Sequence, residues 1–108
     1  MAIKEPSGAN RVGASLRTLV DKRRDDIKSI VARHSGRRVR LFGSVARGEE
    51  HEGSDIDLLV EFMPGSSLFD VMHLSQELEE LLDHRVDVIS EGGLKERDQE
   101  ILNEAAEL

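Results

Sequence analysis

Residues 43–62, GSVARGEEHEGSDIDLLVEF, contain the pattern that decides the fold of this chain. Residues 55–62 alternate between two kinds of side chain, which is typical of a β-strand with one face turned to a core. Gly43 and Ser44 end an earlier apolar run, and residues 45–48 resemble one helical turn. The stretch therefore predicts a strand, a short turn, a polar loop and a second strand. The apolar face of that second strand comprises Ile56, Leu58, Val60 and Phe62.

The regions on either side complete a small α/β domain with three strands, over residues 15–108. Apolar residues at helical spacing predict a first helix that begins at Ser15 and stops before Gly36. Ser67 and Asp70 resemble the capping box of a second long helix. The other predicted elements are strands from Val39 to Phe42 and from Arg85 to Ser90, a last helix from Leu94 to Leu108, and a flexible leader over residues 1–14.

Composition and charge limit the possible functions. With 108 residues, 38% hydrophobic and 34% charged, the chain can build one small core. The net charge of −7 argues against a nucleic acid as direct substrate, because nucleic-acid binding normally needs a basic face. Arg37, Arg38 and Arg40 form one short basic cluster. The chain has no cysteine, no signal-peptide run and no apolar stretch of membrane length, so we expect a cytoplasmic protein.

Gly43 and Ser44 form a candidate phosphate-binding turn. A glycine lets the backbone approach a ligand closely, and the N–H groups at the start of a helical turn point outward, where they can bind phosphate. The same pair is common in plain tight turns, so by itself it leaves both interpretations open.

Asp55 and Asp57 are candidate metal ligands. Their spacing of two places both carboxylates on one face of a strand, with Ile56 turned to the core. Two like charges at that distance repel by roughly a few kcal/mol at an effective dielectric near 20. Mg²⁺ bound by carboxylate oxygens and substrate phosphates would remove this cost. Two solvated acids at an exposed strand start would show the same pattern.

Asp87 is a third candidate. It lies between Val86 and Val88 and shares a strand face with Ile89, so we expect it on a largely buried sheet. If its strand neighbours the strand that carries Asp57, the carboxylates form one acidic cluster. The alternative is an acid on an edge strand at the surface.

Taken together, GSVARG at 43–48, SDIDLLV at 54–60 and RVDVI at 85–89 resemble the polymerase-β-like nucleotidyltransferase superfamily. In detail they resemble the minimal nucleotidyltransferases (MNT), the antitoxin half of the HEPN/MNT toxin–antitoxin pairs. The resemblance covers residues 15–108. It implies an α/β (α+β) fold with a three-stranded mixed sheet and helices packed mainly on one face.

The resemblance also implies roles for the candidate residues. Asp87 would help to deprotonate the attacking hydroxyl. Arg47 could equally be a solvated arginine at a helix end, and Ser54 could simply begin the strand. The implied nucleotide-binding residues are Gly43, Ser44, Arg47 and Ser54. The implied catalytic residues, which would also hold two Mg²⁺ ions, are Asp55, Asp57 and Asp87.

The resemblance implies ATP as the substrate and a HEPN-type toxin as the partner, in a hetero-oligomer. Family members transfer AMP from ATP to a tyrosine hydroxyl of that toxin. The chain has no room for a domain that binds an acceptor, so we expect another chain to bring it. An acidic surface suits a basic, RNA-cutting partner. Two alternatives remain open: an antitoxin that masks the toxin without catalysis, and a nucleotidyltransferase that acts alone on a small molecule.

Overall fold

The computed structural model describes residues 15–51 and 53–108, so the predicted leader lies outside the described residues. Within them, no helix is long and apolar enough to cross a membrane. Two 3₁₀ turns, Glu91–Gly93 and Glu96–Asp98, follow the third strand. The elements are α1 (Leu16–Lys22), α2 (Arg24–Arg33), β1 (Gly36–Phe42), α3 (Gly43–Arg47), β2 (Ile56–Phe62), α4 (Leu68–Leu82), β3 (Val86–Ser90), α5 (Gln99–Glu104) and β4 (Ala106–Glu107).

The strands form one mixed sheet in the order β3-β2-β1-β4. β1 pairs antiparallel with β2 and β4, and β2 pairs parallel with β3. The prediction of three strands was one short, because β4 has only two residues and cannot show an alternating pattern. β4 lies within the predicted last helix, which instead ends at Glu104. Leu108 N donates to Val39 O at 3.1 Å and fixes this end of the chain to the sheet.

The core lies on the sheet face that α1, α2 and α4 cover. Ile56, Leu58 and Val60 of β2 point to this face and are fully buried. The packing of helices mainly on one face is therefore as predicted. Asp57 and Leu59 point to the opposite face. The helices contribute Val20, Ile27, Ile30, Val31, Leu74, Leu78 and Leu82 to the core.

The first predicted helix is in fact two helices, separated at Arg23, whose φ of −102° and ψ of 15° are not helical. The Glu50 carboxylate caps α1 by accepting from Leu16 N at 2.8 Å and Arg17 N at 3.3 Å. Arg17 Nη1 also donates to Ala46 O at 3.3 Å. These long-range bonds hold α1 against the region of α3, while α2 contacts β1. Val20 and Ile27, on either side of the break, are both buried in the core and keep helical spacing, so the sequence pattern predicted one continuous helix.

The capping box of α4 forms as predicted. The Asp70 carboxylate accepts from Ser67 N at 2.9 Å, and the Ser67 side chain accepts from the backbone of Asp70. The helix ends at Asp83, which has a left-handed φ of 51°. Between these two ends, one face of α4 packs on the sheet and the other faces outward.

Candidate active site

The candidate phosphate-binding turn follows β1 directly. Phe42 is extended, and Gly43 then has a φ of +78°, a backbone conformation that residues other than glycine rarely adopt. One helical turn follows, and Gly48 ends it in the left-handed region with φ 72°. The first N–H groups of a helical turn have no partner within the turn, so the backbone at Gly43 and Ser44 can donate to a ligand.

Gly43 also lies directly against Asp57. Phe42 and Asp57 are paired across β1 and β2, so the residue after Phe42 passes over the Asp57 side chain. A Cβ at Gly43 would overlap a carboxylate oxygen of Asp57 and would lie 3.2 Å from its Cγ. The sequence motif thus brings the turn and the carboxylate together and leaves room only for glycine between them.

The three aspartates face the same side of the sheet. Asp57 and Asp87 are register partners in the parallel pair of β2 and β3, so their Cα atoms lie about 5 Å apart. Asp55 precedes β2 by one residue and shares the face of Asp57, since residues two apart in an extended chain point the same way. Its carboxylate lies 3.7 Å from Arg85 Nε.

Asp87 is more exposed than the sequence predicted. Flanking valines indicated a largely buried sheet, but β3 is an edge strand and the Asp87 side chain is exposed. Asp55 and Asp57 are half-buried. The site is therefore open on the side of Asp87, where a hydroxyl from another molecule can approach.

Burial and the two neighbouring acids make the negative charge of Asp57 unfavourable. Burial raises the pKa of Asp57 above its ordinary value of 3.8, and the nearby charges of Asp87 and Asp55 raise it further. The positive charge of Arg47 acts in the opposite direction. The folded chain thus holds Asp57 in a place where its negative charge is unfavourable, and a cation would reverse this.

The donor set fits Mg²⁺, which prefers carboxylate and phosphate oxygens. Within residues 15–51 and 53–108, no three acidic, histidine or cysteine side chains converge closely enough to form a complete metal site. Mg²⁺ commonly binds one or two carboxylates together with substrate phosphates, and does not need an all-protein cage. The arrangement therefore suits an ion that arrives with a nucleotide.

Arg47 is engaged by two acids of the fold. Its Nε donates to Glu49 at 2.8 Å and its Nη1 to Glu104 at 3.0 Å. The second bond ties α3 to α5 across the edge of the site. A triphosphate that recruited Arg47 would have to compete with Glu49 and Glu104.

Ser54 is buried, with 6% of its surface exposed, in the loop that leads to Asp55. Its Oγ accepts from His51 N at 2.8 Å, and its N donates to His51 O at 2.9 Å. His84 Nε2 lies 2.7 Å from the Ser54 carbonyl oxygen. The sequence did not predict the role of His84, because a histidine at a helix–strand junction carries no pattern until β2 and β3 are known to pair.

Replacing Ser54 with alanine should destabilise the protein by about 1 kcal/mol, because His51 N–H would lose its buried acceptor. Thermal or urea unfolding of the variant measures this. Ser66→Ala is a suitable control, since its hydroxyl also bonds a backbone group, Met63 O at 2.7 Å, but in an exposed setting. An equal loss in both variants would mean that burial of Ser54 adds nothing.

The basic cluster noted in the sequence is paired within the fold. Arg37 Nε lies 3.3 Å from Glu61, and Arg38 Nε donates to Glu107 at 2.8 Å. Arg40, which is mostly buried, places Nη2 3.2 Å from Glu91. These acids come from β2, β4 and the turn after β3, so only the fold reveals the pairing. The cluster is therefore paired with acids of the fold and offers little free charge to a ligand.

Comparison with known proteins agrees with this geometry. Residues 22–107 match the family of nucleotidyltransferase domains. A protein of Methanocaldococcus jannaschii named as a candidate protein adenylyltransferase is 47% identical over 83 residues, which cover 73% of this chain and 86% of that protein. The protein adenylyltransferase MntA of Thermococcus cleftensis is 38% identical over 79 residues, which cover 66% of this chain and 80% of that protein.

Solved structures of nucleotidyltransferases also resemble this chain. A candidate minimal nucleotidyltransferase superposes with a TM-score of 0.77 at 49% identity, over 85% of this chain and 95% of that one. A complex of a tri-AMPylated Shewanella oneidensis HEPN toxin with its MNT antitoxin gives a TM-score of 0.62 at 19% identity, over 81% of this chain and 69% of that one, and so shares the fold. The chain is therefore a nucleotidyltransferase, and it belongs to the minimal nucleotidyltransferases of the polymerase-β-like fold.

Proposed function

We propose that this chain is a Mg²⁺-dependent protein adenylyltransferase that transfers AMP from ATP to a tyrosine hydroxyl of a HEPN-type toxin, and so acts as its antitoxin. The observation that carries this proposal is the placement of Asp57, Asp87 and Gly43. Two carboxylates are register partners on neighbouring strands, and a glycine turn passes directly over one of them. A masking protein has no use for such a cluster.

The reaction is a displacement at phosphorus. The tyrosine oxygen forms a bond to the α-phosphorus of ATP, and the bond from that phosphorus to the bridging oxygen breaks. Pyrophosphate leaves with the electron pair, and the hydroxyl proton passes to a carboxylate oxygen of Asp87. Asp87 suits this role because it is the most exposed of the three aspartates and borders the open side of the site.

The other residues bind and orient the nucleotide. The backbone N–H groups at Gly43 and Ser44 would hold the phosphates, and Ser54 would keep Asp55 in place through the loop that it closes. One or two of the three aspartates, together with phosphate oxygens of the nucleotide, would hold each Mg²⁺, which when bound supplies positive charge to the phosphates and to the leaving pyrophosphate. Arg47 would supply a further cation once released from its two glutamates.

Two kinds of support favour a protein as the acceptor. One relative at 38% identity is named as a protein adenylyltransferase and another at 47% identity as a candidate one, and an antitoxin with the same fold occurs in a complex with an AMPylated toxin. The net charge of −7 also favours encounter with a basic partner and makes association sensitive to salt. Transfer to a small molecule, the alternative, has no specific observation in its favour.

Mass spectrometry of the partner tests this proposal directly. A HEPN-type partner is purified after co-expression, once with the wild type and once with Asp57→Asn. We expect one or more added AMP units on a tyrosine only with the wild type. An unmodified partner that is nevertheless inhibited would support masking in place of catalysis.

Binding of ATP should depend on Mg²⁺. Without the ion, the triphosphate meets the repelling charges of Asp55, Asp57 and Asp87, so we expect its affinity to fall at least about tenfold, which is roughly 1.4 kcal/mol. Calorimetric titration with Mg²⁺ or with EDTA measures the difference. Adenosine is the control, because it has no phosphates and should show no such dependence. Equal ATP affinity under both conditions would remove the metal from the mechanism.

A further inference from the structure

Four large apolar side chains are exposed on one corner of the molecule. Met63 follows β2, and Leu68, Phe69 and Met72 form the first turns of α4. Their exposed fractions are 48% for Met63, 73% for Leu68, 68% for Phe69 and 48% for Met72. No other large hydrophobic side chain of the described residues is as exposed. We call these four residues the Met63–Met72 patch.

The fold does not need these side chains to be apolar. α4 packs on the sheet through Leu74, Leu78 and Leu82, so the patch faces away from the core. The capping box of Ser67 and Asp70 fixes the start of the helix without them. Contiguous exposed apolar residues of this kind are unfavourable in water and mark sites of interaction.

A cavity of about 570 Å³ adjoins the patch. It lies between the ends of β2 and β3 and the start of α4, and its walls include Phe62, Val71, Ser66 and Gly92. The candidate active site is elsewhere, since Asp57 and Asp87 stand near the beginnings of the same strands. From Asp57 to Met63 the chain advances six residues, which is roughly 20 Å at about 3.3 Å per residue. A partner could therefore occupy the cavity and leave the carboxylates free.

The charge around the patch selects the kind of partner. α4 continues from Phe69 and Met72 into an exposed face with Glu80 and ends at the exposed Asp83, and the helix has no lysine or arginine. A second copy of this chain would place like charges opposite one another, which is unfavourable. A helix with an apolar stripe that leads into basic residues would match both parts of this face.

The patch is too small to hold two copies of this chain together, which also favours a different protein as the partner. A monomer's largest apolar patch is usually about 300–600 Å², whereas a stable interface buries roughly 800 Å² on each side. Four residues are therefore too few for a stable dimer of this chain through the patch alone. A partner that contacts both the patch and the active site of one molecule would bury the additional area.

We infer that the Met63–Met72 patch docks the protein that receives the nucleotide, through an amphipathic helix of that protein whose polar part is basic. The inference rests on the proposed function for the identity of the partner. Docking at the patch raises the local concentration of the acceptor hydroxyl at the site without touching the reacting atoms. Loss of the patch should therefore weaken partner binding and raise KM, and leave kcat at saturation unchanged.

The test uses the full chain and the HEPN-type partner of the proposed function. Phe69→Gln/Met72→Gln replaces two exposed side chains with good helix formers, so the fold should persist. Ser29→Gln on the exposed face of α2 is the matched control. Calorimetry gives Kd, and transfer of labelled AMP gives KM and kcat. We expect Kd and KM to rise at least tenfold in the double variant only, with kcat unchanged.

The outcomes separate this inference from the proposed function. Unchanged Kd and KM in the double variant would overturn the docking surface and leave the proposed function intact. Binding that depends on the patch without any AMP transfer would overturn the function and support the surface. Two further results would overturn the choice of occupant: competition by a synthetic peptide of residues 1–14, or self-association of the wild type that the double variant loses in sedimentation. A wild-type chain that does not bind the partner would overturn both.

Discussion

Replacing Asp57 with asparagine should abolish nucleotidyl transfer and raise the melting temperature of the metal-free protein. Asp57 is half-buried and lies beside Asp55 and Asp87, so its charge is unfavourable until a cation binds. Loss of a metal-binding carboxylate removes several kcal/mol of transition-state stabilisation, which corresponds to roughly a thousandfold fall in rate. The rise in melting temperature should be a few degrees, since less than about 1 kcal/mol moves a domain of this size by that amount.

The stability effect of Asp57→Asn should depend on pH in a defined direction. The pKa of Asp57 is raised by burial and by its acidic neighbours, so the folded chain binds this proton more tightly than the unfolded chain does. As pH rises from the ordinary value of 3.8 through the raised pKa, the free energy of unfolding of the wild type falls. The advantage of the variant should therefore be full at pH values above the raised pKa and shrink as pH falls toward 3.8. Melts without metal across this range measure it.

Glu61→Gln is the matched control for that experiment. Glu61 lies on the same strand and the same face as Asp57, and the substitution removes the same charge. It pairs with Arg37 at 3.3 Å, so its loss should leave stability unchanged or lower it slightly. A fall of several degrees in Asp57→Asn, or an equal rise in both variants, would contradict a specific repulsion within the aspartate cluster.

Replacing Gly43 with alanine should abolish transfer at a moderate cost in stability. The φ of +78° is unfavourable for alanine by about 1–2 kcal/mol. The added Cβ would also overlap the carboxylate oxygen of Asp57, which must rotate away. The side chain can yield at little energetic cost, but the carboxylate then leaves the position in which it serves the reaction. Activity should therefore fall about as far as in Asp57→Asn.

Gly48→Ala separates these two effects. Gly48 has a φ of 72°, and no heavy atom beyond its own local backbone lies within 4 Å of the position that an alanine Cβ would take, so alanine there adds backbone strain without a clash. Both variants should unfold at similarly lowered denaturant concentrations, and only Gly43→Ala should lose transfer. Loss of activity in both would mean that the shape of the turn matters, and that the contact with Asp57 does not.

Much of the architecture could be predicted from local pattern. The alternation of residues 55–62, the capping box at Ser67 and the glycine turn at Gly43 each report on short-range geometry, and the structure has all three elements. The occurrence of Asp-x-Asp after Gly-Ser, with a later Asp87, also indicated the family, which the comparisons confirm.

The features that the sequence did not predict depend on long-range contacts. β4 exists because residues 106–107 pair with β1, and the start of α1 is capped by Glu50, which lies 34 residues further along the chain. Exposure of Asp87 follows from the position of β3 at the sheet edge, which flanking valines could not reveal. The pairing of Arg40 with Glu91 likewise requires the order of the strands.

Under the proposed function, this chain transfers the α-phosphoryl group of ATP, with its nucleoside, to a protein hydroxyl. The most direct test incubates the purified chain and its HEPN-type partner with Mg²⁺ and ATP labelled either at the α- or at the γ-phosphate. We predict that the α-label becomes attached to the partner and that the γ-label leaves as pyrophosphate, and that neither occurs with Asp57→Asn. Transfer of the γ-label to the partner, or no incorporation from either position while the toxin is still inhibited, would contradict transfer of AMP to the toxin.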